Sequence, residues 1–76
     1  MMLPLEAASG RHPSVQHVAQ FFTWGHLPEH LAEPSRLCAE LATAMISALP
    51  DGPELVVGLR HLLEAKDAFV RCLVAE

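Results

Sequence analysis

The side chains of this sequence that could carry chemistry are five histidines, two cysteines and five basic residues. His26 and His30 are four residues apart, a spacing that can place two imidazoles on one metal ion. No third ligand lies near them in the sequence, and the alternative is that His30 packs in the apolar stripe of its helix beside Leu37 and Leu41. We therefore predict no metal site.

The two cysteines, Cys38 and Cys72, could act as nucleophiles only with a histidine beside them. Both fall on helix faces that are expected to be buried, where a thiol usually serves as a small apolar side chain. The sequence contains no glycine-rich phosphate loop, so we predict no catalytic residue, no cofactor and no enzymatic activity. We expect a cytoplasmic protein for two reasons. The thiols are expected to be free, and residues 1–11 lack the features of an export signal.

The basic residues are better candidates for a binding site. Lys66 lies in the middle of the apolar face of the last helix, where it either reaches water past apolar neighbours or holds an anion in an interface pocket. Arg60 and Arg71 alternate with Glu64 and Asp67 at helical spacing, which favours a solvated strip of ion pairs.

Two further residues have open roles. Arg36 is expected on the polar side of its helix. Trp24 stands next to Gly25 at a helix end and could belong to the core or stack on a base.

Composition limits the possible partners. The chain has 76 residues, of which 51% are hydrophobic and 18% charged, so it is a single small domain with more apolar surface than it can bury alone. Its apolar runs are far shorter than the ~20 residues of a membrane-spanning helix, which leaves self-association as the explanation. A net charge of −4 argues against duplex DNA or RNA but leaves room for a small phosphorylated ligand.

Proline and glycine positions divide the chain into elements. Pro34 is expected to kink the second helix, and the alternative is two helices with Ser35 as a new N-cap. Asp51 and Glu54 have the spacing of a capping box before the last helix. The sequence thus predicts one all-α domain, a short N-terminal helix followed by a long antiparallel helical hairpin that oligomerises as a bundle. Its segments are a flexible arm (1–11), a helix (13–23), a kinked helix (28–49) and a last helix (53–74).

The last helix is apolar on two sides. One side is a row of small residues, Gly58, Ala65 and Cys72, whose spacing by sevens lets a second helix approach closely. The wider side is expected to pack on the second helix and contains Leu55, Leu59, Leu62, Leu63, Phe69, Val70, Leu73 and Val74. One partner helix cannot cover both sides, so we expect other subunits to cover the remainder.

The stretch from Leu49 to Arg71 resembles the helical hairpin of phage anti-CBASS and anti-Thoeris sponge proteins. In that family a Pro-x-Gly-Arg-Glu turn precedes a helix of the form Leu-Ala-Leu-Thr-Lys-Leu-Glu-Glu-Ala. This sequence departs from the pattern at Pro53, Arg60 and His61, which stand at the family's arginine, threonine and lysine. The matching positions are Pro50, Gly52, Glu54, Leu59, Leu62, Glu64 and Ala65.

The resemblance implies an all-helical protein that assembles into dimers and hexamers and holds cyclic nucleotide immune signals between subunits without cleaving them. The implied ligand is a cyclic di- or trinucleotide or a signal of the cyclic ADP-ribose type, and a phage protein of this kind would act in the host bacterial cytoplasm. The ligand-binding residues that we expect near inter-subunit pockets are Arg60, Lys66, His61, Arg36, Trp24 and His30.

Two other functions remain open at the level of sequence. The same apolar surplus would suit a protein-interaction module that inserts its hairpin into the helical bundle of a different protein. A small metal-dependent enzyme would use His26, His30 and a carboxylate.

Overall fold

The computed structural model describes residues 2–74 and contains four helices in this part of the chain. The last two are long, are joined by four residues and pack against each other as a hairpin. No helix among the described residues is long and apolar enough to cross a membrane. The helices are α1 (Pro4–Ala7), α2 (Pro13–Ala19), α3 (Glu29–Ala48) and α4 (Pro53–Val74).

The all-helical fold and the long helix pair confirm the predicted class, and α3 and α4 have nearly the predicted bounds. The expectation that no regular element precedes Gly10 is wrong, because α1 forms one turn there. Pro4 suits the first position of that helix, where its missing N–H costs nothing, and the Leu3 N–H donates to Glu6 Oε1 at 3.0 Å. Pro4 and Ala8 are buried, and α1 packs on α3, so packing holds the turn in place.

Helix α2 ends earlier than residue 23. The N–H groups of Phe21 and Phe22 donate to the carbonyls of Val18 and Ala19, three residues back, so the chain tightens and leaves the α-helix. Phe22 is nevertheless fully buried. The apolar spacing of this segment therefore predicts that Phe22 is buried but not where the helix ends.

Helix α3 passes through Pro34 without interruption. Pro34 lies in the second turn and removes a single backbone hydrogen bond, which the packing of the rest of the helix outweighs. The alternative in which Ser35 caps a new helix is therefore wrong, and Ser35 is instead a buried residue inside α3.

The core lies between the hairpin and the N-terminal segment. On α3 the buried side chains are mostly small, apart from Ile46, while α2 and α4 contribute mainly valine and leucine side chains. Helix α1 packs on α3, and α2 packs on α4, both against the same flank of the hairpin. The buried apolar residues are Ala8, Val15, Val18, Ala19, Phe22, Cys38, Ala39, Ala42, Ile46, Leu55 and Leu59.

Arg11 fastens the N-terminal segment to the hairpin turn. Its guanidinium donates to the carbonyl oxygens of Ile46 and Leu49 at the end of α3, and its Nε donates to Asp51 Oδ1 at 2.8 Å. The other oxygen of Asp51 accepts the backbone N–H of His12 at 3.0 Å. The expected capping box is wrong, because among the described residues the Asp51 carboxylate accepts from Arg11 and His12 and not from the N–H of Glu54.

We predict that Arg11→Met lowers the free energy of unfolding by about 1–2 kcal/mol, because two helix-end carbonyls and a carboxylate lose a charged donor. Arg60→Met is the matched control: Arg60 is exposed and forms no ion pair with a described residue, so its change stays within about 0.5 kcal/mol. Urea unfolding monitored by circular dichroism measures both. Equal effects of the two variants would contradict this role of Arg11.

Candidate functional site

A cleft of about 390 Å³ lies between the α2–α3 connection and the C-terminal half of α4, and we call it the cationic cleft. Three chain segments build it, and the short connection after α2 forms one wall because α2 ends at Ala19. Its lining residues are Gln20, Phe21, Thr23, His26, Leu27, Ser35, Lys66, Asp67, Val70 and Arg71.

Lys66 is the most enclosed charge of the cleft. Its side chain is only 15% exposed, and its Nζ lies 3.1 Å from Asp67 Oδ1. An ammonium group removed from water is costly unless an opposite charge or a hydrogen-bond acceptor compensates it. The half-exposed Asp67 supplies part of that compensation, while Arg71 and His26 place further nitrogen donors along the same cleft.

Ser35 lines the same cleft and is 2% exposed. Its hydroxyl has no hydrogen-bond partner among residues 2–74. Leaving a buried hydroxyl unsatisfied costs on the order of 1–3 kcal/mol, so such groups in native proteins call for an explanation. The indole N–H of Trp24 is likewise buried without a partner in the same part of the chain.

The other predicted ligand-binding residues do not line this cleft. Arg36 is held by Glu33 and Glu40 on its own helix, and the hydrogen bond to Glu33 raises the pKa of its guanidinium further. His61 is exposed, with its Nδ1 3.2 Å from Glu64 Oε1.

Arg60, His30 and Trp24 also lie apart from the cleft lining. Arg60 and His30 are exposed, while Trp24 is partly buried and packs against the core. The expectation that His30 packs in an apolar stripe is wrong, because the stripe it shares with Leu37 and Leu41 is itself uncovered in the single chain. A ligand-binding role for Arg60, His61, Arg36, Trp24 and His30 thus stays a prediction.

His26 and His30 do not join a group of three side chains able to hold a metal ion within the described residues. Of the two thiols, Cys38 is buried and Cys72 is exposed. Burial raises the pKa of the Cys38 thiol, outweighing the opposite effect of the Lys66 charge nearby, so little thiolate forms at neutral pH.

The second feature of the surface is an apolar groove that runs along α3 and α4, which we call the hairpin groove. It consists of two adjoining cavities of about 450 and 260 Å³ that share Leu41 and Leu62. Its ionisable lining residues other than thiols are Glu33 near one end and Glu54 near the other. The other lining residues are Pro34, Leu37, Cys38, Leu41, Met45, Leu49, Leu55, Gly58, Leu59, Leu62, Phe69, Cys72 and Leu73.

This groove accounts for much of the uncovered apolar surface. Leu37 is 54% exposed and Phe69 is 53% exposed, although both belong to stripes expected to be buried. Gly58 and Cys72 of the small-residue row line the groove, and a Cβ built on Gly58 would meet no atom within 4 Å. The row thus borders open space on the side where a neighbouring helix could approach.

Sequence reasoning identified Lys66 but missed the rest of the cleft. His26 was considered only as a metal ligand, Ser35 as a helix cap and Arg71 as a member of an ion-pair strip. The described ion pairs of α4 are His61–Glu64 and Lys66–Asp67, and neither Arg60 nor Arg71 pairs with a described residue. Lys66 and Arg71 are five residues apart, which places them about 140° apart around a helix, so helical spacing alone does not predict that they share a cleft.

We predict that Cys38 reacts with iodoacetamide at least about tenfold more slowly in the native protein than in guanidinium chloride, because it is buried and its pKa is raised. Iodoacetamide labelling followed by peptide mass spectrometry gives both rates. Labelling of Cys38 at its unfolded-state rate would contradict the closed hairpin. The labelling is done at pH 8 with the denatured chain as the control.

Comparisons of the chain with protein-family models, with curated proteins and with solved structures found no match.

Proposed function

We propose that this protein is a homo-oligomeric helical sponge that binds a cyclic nucleotide signal in pockets between subunits and withholds it without cleaving it. The observation that carries the proposal is the hairpin groove, an apolar surface running along both long helices that its own chain leaves uncovered. The ligand class comes from the resemblance of residues 49–71 to phage sponge hairpins.

The groove supports self-association because of its size and composition. Large contiguous apolar patches are uncommon on monomeric proteins and usually mark an interface. A second copy offers the same leucine-rich helices, which suit helix packing through ridges and grooves. Gly58 favours close approach of a partner helix, since it adds no side chain at that point.

The charges support a small anionic ligand. A net charge of −4 disfavours a long polyanion, whereas the cationic cleft gathers Lys66, Arg71 and His26 at one place. An oligomer repeats that cluster in every subunit, so a ligand with two or three phosphates could meet several copies of it.

Sequestration fits the described side chains better than hydrolysis. Cleavage of a phosphodiester needs a positioned base, a nucleophile or metal ions. Within the described part of the chain, Cys38 is a poor nucleophile, and the histidines do not gather with other metal-binding side chains. A sponge acts by mass action, so tight binding alone suffices.

The second candidate function is a protein-interaction module with no small-molecule ligand. It is favoured by the groove's lining, which offers carboxylates at its ends and no cation for a phosphate. An amphipathic helix of a different protein could fill such a groove with residues spaced three and four apart.

We predict that the protein forms a defined oligomer and that Leu41→Asp shifts it toward monomer, because a carboxylate in the middle of the groove is buried on association. Leu5→Asp is the matched control, since Leu5 lies on α1 outside the groove and is 49% exposed against 47% for Leu41. Light scattering coupled to gel filtration measures the mass. A wild-type monomer at high concentration would contradict self-association and favour the interaction module.

We predict that a panel of cyclic dinucleotides, cyclic trinucleotides and cyclic ADP-ribose isomers contains a ligand that binds with a Kd below about 1 μM, as competition with a receptor requires. Isothermal titration calorimetry measures affinity and stoichiometry, and chromatography of the released ligand shows whether it is intact. Linear mononucleotides serve as the control. Absence of binding across the panel, or recovery of a cleaved product, would contradict the sponge.

A further inference from the structure

We propose that the cationic cleft is a phosphate-binding site in each subunit, in which Lys66 and Arg71 supply the positive charge and the Ser35 hydroxyl supplies a neutral donor. The further statement that the bound phosphate belongs to a nucleotide rests on the proposed function. The site itself depends only on the cleft.

The first argument is the local charge. Two permanent cations and one imidazole line the cleft against a single carboxylate, Asp67, in a protein whose overall charge is −4. Lys66 and Asp67 are consecutive residues of α4, and consecutive side chains point in different directions on a helix. The ammonium can therefore exchange this half-exposed neighbour for an anion inside the cleft.

The second argument is the unpartnered hydroxyl. Ser35 belongs to α3, whereas Lys66 belongs to α4, so two separate helices place a neutral donor and a charged donor on one cleft. Ser35 is 2% exposed, and its hydroxyl has no hydrogen-bond partner in residues 2–74, so a small rotation of this side chain toward an anionic oxygen in the cleft would satisfy it. Phosphate oxygens accept from ammonium, guanidinium and hydroxyl donors together.

The third argument is size. A cleft of about 390 Å³ lies at the small end of ligand pockets, which span roughly 300–1,000 Å³. That volume is sufficient for a phosphate with an attached sugar. Gln20 and Thr23 line its rim and offer amide and hydroxyl groups to the part of the ligand that extends from the phosphate.

The test uses the intact protein and three probes: a cyclic dinucleotide, inorganic phosphate and adenosine, which lacks phosphate. Calorimetry is expected to show binding of the first two and none of adenosine. Lys66→Met keeps an unbranched side chain that is one atom shorter and removes the charge, and Arg71→Gln removes the charge from a more exposed residue. Each substitution is expected to lower the affinity for both phosphate-bearing probes by about tenfold or more, which corresponds to the loss of one charge-assisted hydrogen bond.

Three further variants separate binding from folding. Lys66→Arg restores the charge and is expected to recover most of the affinity. Asp67→Asn removes the competing carboxylate and is expected to tighten binding, a gain that damage to the fold would not produce. Ser35→Ala is expected to weaken binding by about threefold to tenfold while leaving thermal stability unchanged or higher, since an unsatisfied hydroxyl is removed.

The outcomes also distinguish this site from the proposed function. Unchanged affinity of the cyclic dinucleotide for Lys66→Met and Arg71→Gln would overturn the site and leave the sponge with another pocket. Loss of inorganic phosphate binding in these variants, in a protein that binds no cyclic nucleotide, would support the site and overturn the sponge. Failure of both phosphate-bearing probes to bind the wild-type protein would overturn the site.

Discussion

The constraint on which the structure depends is that residues 2–74 pack a core on only part of the apolar surface of their own helical hairpin. Two long helices present apolar residues around more than half of their circumference, and the N-terminal segment contributes only α1 and α2. These two short helices pack on one flank, where the core forms. The leucines that line the hairpin groove stay exposed, because α1 and α2 do not cover them.

The same constraint shapes the cationic cleft. Arg11 fixes one end of the N-terminal segment to the hairpin turn, while α2 packs along α4. From the end of α2 the chain must cross to the start of α3, and it does so in a short connection beside the C-terminal half of α4. The cleft is the space between that connection and α4, so its position follows from how the segment is anchored.

Local patterns in the sequence predict the two long helices well. They do not predict which distant residues pack against those helices or form the cleft. Proline positions and apolar spacing gave the bounds of α3 and α4 closely, because both helices are long enough for their periodicity to be unambiguous. The α1 turn was missed because tertiary packing of Pro4 and Ala8 stabilises it. The cleft combines Ser35 with Lys66, and such a pairing of distant residues has no local signature in a single sequence.

Helix α4 connects the two surfaces. Leu62 and Phe69 line the hairpin groove, and Lys66 lies between them in sequence, four residues after one and three residues before the other. A second copy seated in the groove would therefore pack within one turn of the ammonium that faces the cleft. Such packing removes water from the neighbourhood of Lys66, which lowers the local dielectric and strengthens its attraction for an anion. Assembly through the groove and anion binding in the cleft would then favour each other, since two binding events that are coupled strengthen each other reciprocally.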